Sequence, residues 1–314
     1  MKGWILAFVQ AGLFVFGAPF LAGWVKWVKC KLQSRQGPPP WQPYRDLLRL
    51  FNKEVVVAES ASPIFRITPY ILFSITVLAG SVVPLVATGL PTSAIADVIV
   101  LVGFLALGRF FLALAGMDVG TAFGGMGSSR EVTIASLAEP AMLMGVFTLA
   151  MTVHSTNLAG MIDYLLSHPF QLYPSFVFAA MGLVLVAVAE TGRIPIDNPA
   201  THLELTMVHE AMILEYSGRH LALMEWGAML KLMVYGVLLA NLFCPWGVAV
   251  DYAPLPLLLG LAAITGKLLV LGTALAVAES GLAKMRLFRV PQYLALAFIL
   301  CLLGMLSHVI LEVS

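Results

Sequence analysis

The sequence predicts an all-α integral membrane protein of about eight transmembrane helices, with an interfacial amphipathic helix in its first cytoplasmic loop. Three observations predict it. The chain is 60% hydrophobic and 11% charged, whereas a soluble globule carries about a quarter charged residues. Its apolar residues gather in eight runs, each near the roughly 17 to 25 residues that cross about 30 Å of hydrocarbon. Its 18 Lys and Arg fall mostly in alternate loops between those runs.

The runs lie near residues 3–25, 67–89, 94–115, 131–153, 173–190, 226–250, 254–278 and 290–311. Eight basic residues separate the first two: Lys26, Lys29, Lys31, Arg35, Arg45, Arg49, Lys53 and Arg66. Six more follow runs three, five and seven: Arg130, Arg193, Arg219, Lys284, Arg286 and Arg289. The other side has Lys2, and its longest loop, 154–173, has no Lys or Arg. The positive-inside rule therefore puts both termini on the non-cytoplasmic side and the long loops in the cytoplasm. The first run lacks a small-residue cleavage site and is expected to remain as a helix. Residues 1–314 read as one transmembrane domain with two cytoplasmic loops, a basic one at 26–66 and an acidic one at 190–225. Cys30, Cys244 and Cys301 are far apart with no CxxC pair, so no framework for a disulfide, zinc or an iron-sulfur cluster is visible.

In the first loop, Pro38, Pro39 and Pro40 end any helix. Pro43 then starts a short one in which Tyr44, Leu47, Leu48 and Phe51 share a face opposite Arg45, Asp46, Arg49 and Asn52. That pattern fits a helix lying in the membrane interface. Between runs three and four the chain is rich in glycine, but no Lys follows and no strand precedes, so it is not a phosphate loop. Ser128-Ser129-Arg130-Glu131 fits a capping box and predicts that the fourth helix begins there.

Charges inside the spans are candidates for function, because an acid or base at that depth is costly unless paired or wetted. They are Arg109 in run three, Glu139 beside Pro140 in run four, Lys231 in run six and Lys267 in run seven. A salt bridge that merely fixes helix packing is the plainer alternative for each.

The stretch AETGRIPIDNPATHLELTMVHEAMILEYSGRHLALMEWG, residues 189–227, concentrates Glu190, Asp197, Glu204, Glu210, Glu215 and Glu225 with three histidines. Pro195 and Pro199 break the helix after Glu190. A new register from Thr201 would put Glu204, Val208, Ala211 and Glu215 on one face over three turns. Carboxylates in file repel one another, which raises some pKa values toward neutrality and suits proton uptake and release. His202 and His209, one heptad apart, stand beside that file. No tight HxxxH or HxxE set completes a metal shell, so no metal is expected.

These residues carry a resemblance. AETGRIPIDNP followed by LEL and EYSG is similar to the signature of the membrane subunit at the quinone end of respiratory complex I, the subunit-1 family, and of its hydrogenase relatives. RQGPPP and RLFNKE in the first loop resemble that family's RxGP and KLFxKE stretches. Arg130 and Glu139 repeat its spacing of nine. GMDVG, GSSREV, AEP and the stretch from Gln42 to Phe51 look closer to formate hydrogenlyase and the membrane-bound nickel-iron hydrogenases. TMVHEAMILEYSG stands where complex I members show a phrase like VSGFNIEY.

The resemblance implies a subunit without a redox centre that anchors a hydrophilic electron-transfer arm and couples its redox chemistry to proton or sodium translocation. It implies an ion path through Glu139, Glu190, Glu204, Glu215 and Glu225, with Arg109, Lys231 and Lys267 as counter-charges. Arm docking, or a quinone-like site, falls to Arg35, Gly37, Pro38, Tyr44, Lys53, Arg130, Arg193, Pro195 and Asp197. The expected partners are hydrogenase-like large and small subunits, iron-sulfur subunits, antiporter-like membrane subunits and lipid, with no nucleic acid. Nickel-iron and iron-sulfur centres are expected in the partners and none in this chain. Two other classes stay open: a quinone-binding subunit of an NADH dehydrogenase-like oxidoreductase, and an anchor whose acids form only docking salt bridges.

Overall fold

The computed structural model describes residues 2–168, 173–197, 207–250 and 252–312, and every regular element among them is helical. The chain runs through α1 (Lys2–Leu32), α2 (Gln42–Phe51), α3 (Pro63–Val82), α4 (Val98–Asp118), α5 (Ala122–Val153) and α6 (Leu158–Ser167). It continues through α7 (Pro174–Glu190), α8 (His209–Ile213), α9 (Gly218–Phe243), α10 (Pro254–Gly281) and α11 (Val290–Ser307). Seven of these are long and apolar enough to cross a membrane. At 17 residues α7 rises about 25 Å, slightly short of a full hydrocarbon core.

The long helices and α7 alternate in direction, which the contacts at each end make plain. At one end Leu158 N donates to Ala96 O at 2.7 Å, Ala249 N to Val86 O at 2.8 Å and Thr88 Oγ1 to Asp163 Oδ1 at 2.6 Å. At the other end, which carries α2 and α8, Ser62 N donates to Asp118 Oδ2 at 2.8 Å and Met285 N to Pro195 O at 2.9 Å. Lysines and arginines from the first loop and from the loops after α7 and α10 collect at this second end, the basic end.

Local chemistry sets most helix starts. Ser62, Asp97, Thr121 and Asn157 each accept a backbone N–H from the first turn that follows, and α3, α7 and α10 begin on proline. The capping-box expectation at Ser128 fails, because α5 starts at Ala122 under a Thr121 cap. The glycines make this possible. A Cβ on Gly124 would lie 2.1 Å from Gly116 O, so only glycine lets the first turn of α5 cross α4 that closely. Ser128 instead donates its hydroxyl to Ala113 O of α4 at 2.9 Å.

Other boundaries move for similar reasons. α1 continues to Leu32, because Lys26, Lys29 and Lys31 lie on helical turns that leave the apolar zone. α3 ends at Val82, and residues 83–90 run back as non-helical chain under the far end of the bundle, buried except at Gly89. The loop 154–173 contains α6. Of the three-turn file from Thr201 to Glu215, residues 201–206 lie outside the described residues; from 207 on the helix is interrupted, with residues 207–208 and 214–215 non-helical and α8 spanning only His209–Ile213. Glu215 falls beyond its end and is exposed.

Candidate functional site

Four charged side chains from four helices meet inside the bundle. Arg109 of α4 donates from Nη1 to Glu190 Oε1 at the end of α7, and from Nη2 to Glu139 Oε1 of α5 at 2.5 Å. Lys231 of α9 lies 3.0 Å from the second oxygen of Glu190. The side chains of Glu190 and Arg109 are 2% and 8% exposed, Lys231 is 17% exposed and Glu139 is 33% exposed. Two acids and two bases cancel, which is how a membrane interior tolerates four ions. The guanidinium fork suits the bridging position, since its donors point in fixed, divergent directions toward two carboxylates.

A second network lies nearer the basic end. Glu279 of α10, 5% exposed, accepts from Lys29 of α1 at 2.7 Å and from Arg193 at 3.4 Å. Asp197, 3% exposed, sits 3.1 Å from Lys284 Nζ through one oxygen and accepts His209 N at 3.1 Å through the other. The stretch 191–197 is thereby tied to α1, α8, α10 and the loop after α10. Arg130 of α5 donates to Met207 O at 2.7 Å, at the far edge of the acidic loop.

One cavity of about 560 Å³ touches both networks. Its wall includes Arg109, Glu190 and Lys231 from the first, and Lys29, Arg193, Asp197 and Glu279 from the second. Glu131, Glu225, His209, Glu210, Asp46 and Lys26 add further charged or titratable groups, and Leu72, Ile75, Phe104 and Leu105 supply an apolar side. Such a space can hold water or an amphiphile and keeps the buried charges in contact with polar surroundings. Burial and the nearby Lys231 charge hold the His209 imidazole down to about 4, against the opposing pull of Asp197, so it is neutral near pH 7.

The first loop packs against the cavity wall. A Cβ on Gly23 of α1 would stand 1.9 Å from Pro40 O, so the proline run lies directly on that helix. Gly37 is pressed against Cys30 in the same way. Tyr44 donates its hydroxyl to Phe16 O, and burial pushes its phenol up. α2 turns Leu47 inward and leaves Leu48 64% exposed, so the predicted apolar face is split between protein and surroundings. Arg35 and Lys53 are exposed, while the Lys53 and Glu54 carbonyls press on Gly218. Ser217 Oγ binds both Val56 N and Val56 O at 2.8 Å, and the Tyr216 ring stacks on Phe65 at 3.9 Å between centroids.

Of the residues singled out in the sequence, Glu139, Glu190, Arg109 and Lys231 come together, and Glu225, Arg193 and Asp197 line the same cavity. Pro195 contributes its carbonyl to Met285 N, and Pro38 precedes the residues laid on Gly23. Lys267 does not join: its partner is Asn241 Oδ1 at 3.4 Å. Glu215 is exposed and does not line the cavity, and Glu204 and His202 lie outside the described residues. Sequence reasoning missed Glu131, Glu279, Lys29 and Lys284. In the sequence Glu131 reads as part of a capping box, and the others sit at span ends where charges are ordinary; the burial of Glu279 and Asp197 distinguishes them. Among the described residues no three His, Cys, Asp or Glu side chains gather as a metal-ligand set.

Comparison with known proteins places this architecture. The NADH dehydrogenase family model matches residues 5–310. Hydrogenase-4 component C of Escherichia coli is 34% identical over 300 residues, covering 96% of this chain and 94% of that protein. Formate hydrogenlyase subunit 4 of the same organism is 31% identical, covering 90% and 92%. A subunit of the NADH-quinone oxidoreductase of Rhodospirillum rubrum is 27% identical over 71% of this chain and 67% of its own length. A chain in the structure of the membrane-bound sulfane sulfur reductase, an archaeal respiratory membrane complex, shares the fold with TM-score 0.83 at 18% identity, covering 98% of this chain and 99% of its own.

Proposed function

This chain belongs to the NADH dehydrogenase family, and we infer from that premise that it is a membrane subunit of a hydrogenase- or formate hydrogenlyase-type, complex I-like respiratory complex. It is a multi-pass protein of the prokaryotic inner membrane. In this reading α7 is an eighth, short span, α2 lies at the interface, and the basic end faces the cytoplasm with both termini outside. The excess of Lys and Arg at that end supports the orientation.

The observation that carries the coupling role is the cavity shared by the two ion networks. A hydrophilic electron-transfer arm docked on the loops at the basic end would bear on residues 191–197. Those residues connect through Arg193 and Asp197 to the same space that holds Glu190. Loss or gain of charge there changes the field on the Glu190 carboxylate and, through Arg109, on Glu139. Redox events in the arm would thus be relayed to protons or sodium ions passing Glu139, the more exposed member, toward antiporter-like membrane subunits. Nickel-iron and iron-sulfur centres reside in partner subunits in this reading, and the chain itself performs no catalysis.

The quinone-binding alternative is not favoured: the two hydrogenase-type relatives align over 90% and 96% of the chain, the quinone oxidoreductase relative over 71%. The test is gentle purification of the tagged chain with mass spectrometry of its partners and a nickel assay. A hydrogenase-type large subunit with nickel and antiporter-like subunits is the expected result. A chain that purifies alone and stable overturns the reading.

A further inference from the structure

Of the three basic residues that lie inside spans, Arg109 and Lys231 are absorbed by the buried network and Lys267 is not. It stands near the middle of α10, which runs from Pro254 to Gly281, so about 20 Å of helix rise separates it from either end. Among the described residues no carboxylate lies within ion-pair distance of its Nζ. Its contact is the neutral Asn241 Oδ1 at 3.4 Å, and the Asn241 amide nitrogen is itself directed at Pro84 O and Leu85 O at 2.8 and 3.3 Å. A lysine at that depth is costly without an anion, and its side chain reaches only part of the way to a headgroup.

The flank of α10 beside it is uncovered. Leu259, Val270 and Val277 are 60%, 69% and 52% exposed, and Ala262 and Gly266 between them are exposed too. These positions recur at steps of three, four or seven residues and so form one face. Among the described residues, a Cβ on Gly266 would meet no atom within 4 Å. Small residues at that spacing let a second helix backbone approach closely in a membrane. α10 itself packs mainly on α1 and α9.

We propose that this face of α10 seats a transmembrane helix of a partner subunit, and that an Asp or Glu at mid-membrane on that helix pairs with Lys267. The occupant is a protein helix because the complementary anion must lie at mid-depth, where acyl chains offer no acceptor. The pair would pin the register of the two helices, since sliding one past the other strands both charges in hydrocarbon. The proposal rests on the chain being one subunit of a membrane complex, and goes beyond it in naming a face and the chemistry that fits it.

The experiment uses the whole complex in native-membrane nanodiscs, with a benzophenone amino acid at Val270 or Leu259 and peptide mass spectrometry of the photoproducts. The expected product joins α10 to a transmembrane peptide of a co-purifying subunit with an Asp or Glu within about a turn of the crosslink. Lys267→Gln should lower that yield roughly tenfold and Lys267→Arg no more than about twofold, the range set by one interhelical polar contact. Lys267→Glu should be rescued by Lys at the partner's acid. Crosslinks to lipid alone in a complex of unchanged composition overturn the proposal and leave the functional reading standing. So does a crosslinked helix without an acid, or an effect reproduced by Asp251→Asn, which would make the pairing internal to this chain. A preparation with no other membrane subunit overturns both.

Discussion

Arg109 and Glu190, 81 positions apart in the chain, form the innermost ion pair of the bundle, with side chains 8% and 2% exposed. Removing Glu190 takes the carboxylate away from both Arg109 and Lys231 and leaves Lys231 without its ion-pair partner. Glu190→Ala should therefore destabilise the protein by about 3–5 kcal/mol, the usual cost of breaking a buried pair. Glu190→Gln keeps the shape and part of the hydrogen bonding, so it should assemble while losing ion translocation. Thermal melting in detergent and ion flux in proteoliposomes separate the two effects.

Glu139 occupies the exposed end of the same network, at 33% side-chain exposure. Because it is the more exposed partner of its pair with Arg109, and Arg109 keeps Glu190, Glu139→Gln should cost stability less than about 1 kcal/mol. Its effect should fall on coupling: the ratio of ions moved to electrons transferred should drop while electron transfer continues. Persistence of the parental ratio would remove Glu139 from the path.

The second network predicts a mechanical phenotype. Lys29 and Arg193 meet on Glu279, so Glu279→Gln frees the stretch 191–197 from α10. Hydrogen exchange of that stretch should accelerate, with little change in the transmembrane helices. A double-mutant cycle between Lys29→Met and Glu279→Gln should return a coupling energy of about 0.5–3 kcal/mol. Strict additivity would show that the contact is incidental.

His209 gives a pH dependence. Its folded pKa of about 4 lies below its ordinary 6.5, so the unfolded chain binds a proton that the fold refuses. Stability from this group is level above pH 6.5, falls between 6.5 and 4, and is level again below. The total loss is on the order of 1–3 kcal/mol. His209→Gln should flatten that window in pH-dependent melting, and an unchanged profile would assign the acid sensitivity to other groups.

The sequence alone determined the class, the approximate spans and the basic end, because hydropathy, proline and charge act locally and leave their mark at fixed spacing. It also marked Arg109, Glu139, Lys231 and Lys267 as charges inside apolar runs, and Glu190 as the start of the acidic stretch, without showing which of them meet. It did not reveal that α5 begins at Ala122, since that depends on a clash-free crossing of Gly124 over Gly116. Nor did it reveal that α8 stops at Ile213 and leaves Glu215 outside. The tertiary structure alone decided which charges meet. Lys231 and Lys267 look equivalent along the chain, each a lysine inside an apolar run, yet one faces Glu190 at 3.0 Å and the other a neutral amide on the flank of α10. The physical reason is that an ion pair is fixed by the rotation and crossing of separate helices, and burial by what covers each face. Neither quantity is written in the spacing of residues along one helix.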